Sequence, residues 1–136
     1  MRLLLDTNIF LDLIYTRKEA SKNLFRVAKD NLDQLLICSH SIKDIAYFLK
    51  KTMHDNSKVN DVLIKIYSNI TKVVGINSDD AIEALYLQGD YEDNVLLEVS
   101  KTSMCDALIT NNKKHFKNKG VAVLTPEEYL MVRKWD

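Results

Sequence analysis

Asp6, Asp44, Asp93 and Asn112 are the residues of this chain best placed to do chemistry. They are three carboxylates and an amide, each at an expected strand end or helix start. Asp6 follows the apolar run Leu3-Leu4-Leu5 at the very beginning of the sequence. Buried parallel strands read as continuous apolar runs, and open α/β sheets bind ligands beyond the carboxyl ends of their strands. A carboxylate there is costly to bury unless something positive meets it, and a divalent cation is the obvious candidate.

The other groups recur in a matching layout. Asp44 is expected in the first turn of the helix after a second strand. Asp93 is expected early in a later helix, with Asp90 and Glu92 beside it. Asn111 and Asn112 end a fourth strand, just before Lys113 and Lys114. Strand ends and helix starts can project to one end of a parallel sheet, gathering these side chains around an oxygen-lined cavity. Such a cavity suits Mg²⁺ or Mn²⁺, hard cations that take carboxylates and retain water. Bound metal acidifies water and stabilises charge on a transferring phosphate, so hydrolysis of a phosphodiester is the expected reaction.

Each acid also has a structural explanation. Asp44, Asp90 and Asp93 stand where an acid favours a helix N-terminus, and taken singly each is better read as a cap. Asp6 differs, because a strand end offers no such rationale directly. His115, in a lysine-rich stretch with Lys117 and Lys119, reads as a surface or phosphate-contacting residue. The three histidines are too scattered for a zinc site. Tyr15, Tyr47, Tyr67, Tyr86 and Tyr91 could include stacking platforms for bases, with packing the safer reading for most.

The elements that must position these groups follow from pattern. Strands are expected at Arg2–Leu5, Gln34–Ser39, Lys72–Ile76, Asp106–Thr110 and Gly120–Leu124. Helices are expected over Thr7–Ile14, with Thr7 or Asn8 near the cap, and over Lys18–Asn31. Another starts at Ser41 with Asp44 in the capping-box position, followed by Ser57–Ile70. Further helices run from Ser78 through Gln88, with Gly89 ending it, and over Tyr91–Thr102. A last one starts at Thr125-Pro126-Glu127-Glu128, with Pro at the first helical position. Alternating strands and helices imply βαβ units and a three-layer α/β/α sandwich on a mainly parallel five-stranded sheet. The helix pair between the second and third strands is an elaboration above one sheet edge.

At 136 residues, 46% hydrophobic and 28% charged, the chain reads as one globular domain spanning 1–136. No apolar run is long enough for a secretory signal or a membrane span, so cytoplasm is the default. Cys38 and Cys105 lack metal-type spacing and read as reduced thiols. The zero net charge conceals an asymmetry. Residues 73–100 hold seven acids and no Lys or Arg, whereas the next twenty hold five Lys and one Asp. An acidic block beside a basic one suits a cation next to a phosphate backbone, or two solvated helix faces.

Leu3-Leu-Leu-Asp6-Thr7-Asn8-Ile-Phe-Leu-Asp12 resembles the opening of PIN-domain ribonucleases, including the VapC-type toxins of toxin–antitoxin pairs. Asp90-Tyr-Glu-Asp93-Asn94 and Cys105-Asp-Ala-Leu-Ile-Thr110-Asn-Asn112-Lys-Lys-His115-Phe116 resemble the family's later half in order and spacing. The closing Val121-Ala-Val-Leu-Thr-Pro-Glu-Glu-Tyr-Leu is similar to its final strand and helix. The resemblance implies a metal-dependent RNA endonuclease, usually a homodimer, with a cognate antitoxin protein as a partner if the chain is a toxin.

By that resemblance Asp6 matches the first metal-ligating acid and Asp93 the third. Asp44 stands where the family more often has Glu, a shorter reach that would run through water. Thr7 and Asn8 match the polar pair after the first acid, with Asn8 orienting carboxylates. Where many members carry Asp after the fourth strand, this chain has Asn111-Asn112, so weaker metal binding is expected. Asn112 would orient the attacking water, and Lys113, Lys114 and Arg17 would meet the RNA backbone.

Two other readings compete. With the fourth acid missing, the chain could be an RNA- or protein-binding scaffold. A hydrolase with Asp6 as nucleophile, of the haloacid-dehalogenase kind, would need Asp where this chain has Asn8. A phospho-receiver domain would need an acid pair and a late lysine that are not evident.

Overall fold

In a computed structural model, which describes residues 1–116 and 120–134, the apolar runs form one sheet of five parallel strands. The strands are β1 (Arg2–Leu5), β2 (Gln34–Cys38), β3 (Lys72–Val74), β4 (Ala107–Ile109) and β5 (Val123–Leu124). Their order is β3-β2-β1-β4-β5. Seven α-helices flank them among the described residues: α1 (Thr7–Tyr15), α2 (Glu19–Asp30), α3 (Ser39–Met53), α4 (Asn56–Tyr67), α5 (Ser78–Ala84), α6 (Tyr91–Thr102) and α7 (Pro126–Lys134). The expected α/β class and layering are observed. No helix among the described residues is long and apolar enough to cross a membrane.

The period of two along a strand builds a core on each sheet face. Leu3 and Leu5, aligned with Leu35 and Ile37 of β2, pack under α1, α2, α3, α4 and α7. Leu4, aligned with Leu36 and Leu108, faces the opposite way onto α5 and α6. All three leucines of β1 are fully buried, each contributing about 2 kcal/mol of transfer free energy. Leu4→Ala would cost about 3 kcal/mol by opening a cavity between sheet and α6.

Several boundaries differ from expectation, each for a local reason. Asp6, rather than Thr7 or Asn8, is the N-cap of α1. The third helix begins at Ser39 with Cys38 as the flanking residue, so Asp44 is in the second turn and caps nothing. The Ser41 hydroxyl instead accepts a hydrogen bond from Thr7 Oγ1 at 2.9 Å, tying α3 to α1. The fifth helix ends at Ala84 rather than Gln88, and Asn77 and Asp80 form its capping box. The fourth helix stops at Tyr67 instead of Ile70, and β3, β4 and β5 are shorter than their apolar runs.

Other expectations hold. α6 spans Tyr91–Thr102, and α7 starts at Pro126, where Thr125 and Glu128 bond reciprocally as a capping box. The two helices between β2 and β3, α3 and α4, pack against each other. Cys38 and Cys105 are free thiols, and burial pushes both up from their ordinary range. Lys117 and Lys119 lie outside the described residues.

Candidate functional site

The strand order reverses between β1 and β4, the point at which open α/β sheets form a crevice beyond their carboxyl ends. Asp6 leaves β1 there. Its backbone N–H still bonds to Ile109 O of β4 at 2.9 Å. Its Oδ1 accepts the Thr7 N–H at 2.7 Å, and its Oδ2 accepts the Thr110 hydroxyl at 2.8 Å and the Asn8 amide at 3.5 Å. The cap corrects the expectation that this acid lacks a helix-end rationale.

Capping does not make the charge comfortable. Burial pushes the Asp6 carboxyl above its ordinary value, and the negative charge of Asp93 adds to the rise. The Thr110 and Thr7 hydrogen bonds and nearby His115 offset only part of it. An acid held up despite two good donors is one whose anionic form awaits more positive charge.

A cleft of about 430 Å³ opens beside it. Asp6, Thr7, Asn8, Asp44, Asp93 and Asn112 all line it. Four elements therefore converge as the alternation of strands and helices requires. Asp93 enters from the first turn of α6, and its side chain pairs with His115 Nδ1 at 3.4 Å. Asp44 comes from α3, half exposed and 3.4 Å from His40 Nε2. The amide of Asn112 follows β4.

Four further residues belong to the site. Glu92, Tyr47 and Phe48 also line the cleft. Phe48 is exposed although it is apolar. The helical period places it beside Ile45 and Leu49, and only the path of α1 decides which of them is covered. Thr110 is completely buried behind Asp6. Its signal in the sequence was a hydroxyl directly after a buried strand.

Other expected site residues point elsewhere. Asn111 donates to Asp12 Oδ2 at 2.7 Å and accepts from Lys18 Nζ at 3.1 Å, away from the cleft. Lys113 is paired with Glu128 at 2.8 Å, which holds that carboxyl below its ordinary range. Asp90 caps α6 by accepting the Asp93 N–H at 3.1 Å. Arg17 lies over the Tyr15 ring at 5.0 Å. Lys114 is exposed on the short 3-10 turn Lys113–Phe116.

Among the described residues, no three acid, histidine or cysteine side chains converge into a closed metal cage. The donors present are hard oxygens, and the charge of Asp93 disfavours that of Asp6. Asn8 Oδ1 is a further hard oxygen, buried without a hydrogen-bond partner. This set fits a small divalent cation taken by one or two carboxylates with water completing its shell, the habit of Mg²⁺. It does not fit a four-ligand zinc site.

Comparison with known proteins agrees with this architecture. The sequence has no match among curated proteins. The fold is similar to VapBC2 from Rickettsia felis bound to promoter DNA, with a TM-score of 0.73 and 16% identity over 92% of this chain and 98% of that one. It is similar to a toxin–antitoxin complex from Klebsiella pneumoniae, with a TM-score of 0.68 and 24% identity over 91% and 97%. VapC20 of Mycobacterium tuberculosis, a sarcin–ricin-loop-cleaving toxin, superposes with a TM-score of 0.65 and 11% identity over 88% and 96%. These likenesses establish the fold. The PIN-domain family model matches residues 2–114 of the sequence, and the chain belongs to the PIN-domain family.

Proposed function

We propose that this chain is a metal-dependent endoribonuclease that hydrolyses RNA phosphodiester bonds, the toxin of a type II toxin–antitoxin pair. The carrying observation is the cleft at the β1/β4 switch point, where the charge-disfavoured Asp6 meets Asp93, Asp44 and Asn112. Family membership and the RNA-cleaving relative support the same reading.

Asp6 and Asp93 would hold Mg²⁺ or Mn²⁺, with Asp44 acting through water because its side chain is short. When bound, the cation makes water a stronger acid and stabilises charge on the transferring phosphate. Asn8 and Thr110 hold the Asp6 carboxylate in place. Asn112 orients the attacking water through its amide. Thr7 ties the Asp6 turn to α3, so Asp44 is held relative to Asp6. Glu92 and the three aspartates repel a bare phosphodiester, so the cleft takes RNA only with a cation present. Lys114 is placed to meet the backbone outside it.

The partners implied are an RNA substrate, a second copy of the chain and an antitoxin. The Klebsiella relative is itself a toxin–antitoxin complex. An Arg or Lys from such a partner would satisfy the carboxylates and block the cleft. The site of action would be the cytoplasm, where RNA is met.

A weakened scaffold that binds RNA or protein is the second reading. It is favoured by the amide at position 112 and by the lack of a three-acid cage among the described residues. Cleavage of a structured-RNA pool with Mn²⁺, Mg²⁺ or EDTA separates the two. Metal-dependent cuts that vanish in Asp6→Asn are expected. No cuts and no metal uptake by the folded protein would favour the scaffold.

A further inference from the structure

Thr110, Asn111 and Asn112 point in three directions, and the middle one is anchored from both ends of its amide. Asn111 Nδ2 donates to Asp12 Oδ2 at 2.7 Å, and Asn111 Oδ1 accepts from Lys18 Nζ at 3.1 Å. The same Asp12 oxygen accepts the Ser21 hydroxyl at 3.0 Å. Asp12 is 5% exposed and Ser21 fully buried, so the carboxylate depends on these donors to offset its loss of water. One oxygen atom thus joins α1, α2 and the segment after β4.

The neighbours of Asn111 serve the cleft. Thr110 Oγ1 donates to Asp6 Oδ2 at 2.8 Å and accepts the Asn112 N–H at 3.1 Å. The Asn112 side chain lines the cleft. If the middle residue slips, both contacts go with it.

We infer that Asp12 and Asn111 are positioning residues: a strut that sets the 110–112 segment so that Thr110 holds Asp6 and Asn112 reaches the cleft. The effect on activity rests on the nuclease reading, whereas the strut itself rests on geometry alone. The strut also gives a reason for an amide at position 111. Asp there would set a second carboxylate against Asp12 Oδ2 and remove the donor that Asp12 needs. Asn111 is therefore matched to Asp12.

The test uses Asp12→Ala, Asn111→Ala, their double variant and Asp12→Asn, which keeps an acceptor oxygen. A misplacement of about 1 Å near reacting atoms lowers rates by up to about a hundredfold. Each alanine variant is expected to lose about tenfold or more in kcat, well below its unfolding midpoint, with KM little changed. The double variant should be no worse than either single one, and Asp12→Asn should recover most of the rate.

Exchange of the Asn112 backbone amide, read by NMR, gives an answer that does not need activity. It should quicken by about tenfold or more in either alanine variant, while amides of β1 stay protected. Unchanged Asn112 exchange in both folded single variants overturns the strut. Losses of kcat that multiply in the double variant overturn it too. A wild-type protein that cuts no RNA overturns the nuclease reading instead, and the exchange result then decides the strut. If Asp12→Ala does not fold, Asn111→Ala carries the same test from a partly exposed position.

Discussion

The Thr110 hydroxyl donates to Asp6 Oδ2 at 2.8 Å across 104 positions of sequence, and it accepts the Asn112 N–H at 3.1 Å. One buried oxygen therefore coordinates the acid on β1 with the amide after β4. Thr110→Val keeps the shape and removes both bonds. Steady-state RNA cleavage should fall by about 10- to 100-fold, as for other groups that orient a metal-binding carboxylate. Thr110→Ser should retain most of the rate, and a fully active valine variant would show that Asp6 needs no such partner.

Asp6→Asn should abolish cleavage and raise stability. Burial lifts the Asp6 carboxyl above 3.8 in the folded chain, so its ionisation costs stability that builds as the pH rises above 3.8 and is complete above the raised value. A neutral amide escapes that penalty. At neutral pH the variant should melt about 2–4 °C higher. The gap should close as the pH falls through the raised value and vanish below 3.8. Thermal scans at several pH values read this, and an equal or lower midpoint at pH 7 would contradict it.

Adding charge after β4 distinguishes the two asparagines. Asn112→Asp places a carboxylate at the cleft, and calorimetry should find Mn²⁺ bound about tenfold tighter. Asn111→Asp adds the same charge against buried Asp12. It should destabilise the fold by about 1–3 kcal/mol without improving Mn²⁺ affinity. Equal gains in affinity from both would mean that both side chains reach the metal.

The last helix is held by a separate ionic cluster. Asp33 is buried, and burial works against its charge. Hydrogen bonds from Arg133, the N-terminal amine and Tyr129 outweigh that and hold its carboxyl below the ordinary range. Arg133→Ala leaves that carboxylate short of its main partner and should cost about 3 kcal/mol in urea unfolding at pH 7. Because the folded value is depressed, this stability is present above 3.8 and lost as the pH falls through the depressed value. Variant and wild type should therefore converge in acid.

Sequence pattern was enough for the layered fold, since the apolar runs and helical periods are local. It also brought Asp6, Asp44, Asp93 and Asn112 to one edge, because strand ends and helix starts share it in a parallel sheet. What it could not convey was orientation. Asn111 and Asn112 are chemically identical neighbours, and which one faces the cleft depends on Asp12, 99 positions away. Lys113 looked available for phosphate until the path of α7 set Glu128 beside it. Phe48 and Leu49 are adjacent apolar residues, one exposed and one buried, and no local period separates them.

The place of β1 in the middle of the sheet carries a consequence for the timing of synthesis. Its first partner, β2, is translated soon after it, but its other neighbour, β4, arrives only at residues 107–109. A nascent chain that has emerged through α5 has Asp6 without Asp93, Thr110 or Asn112. For a chain that cuts RNA, the message and ribosome producing it are the nearest targets. Because the late segments complete the cleft that Asp6 and Asp44 begin, a translation product interrupted before α6 would, on the nuclease reading, be inert.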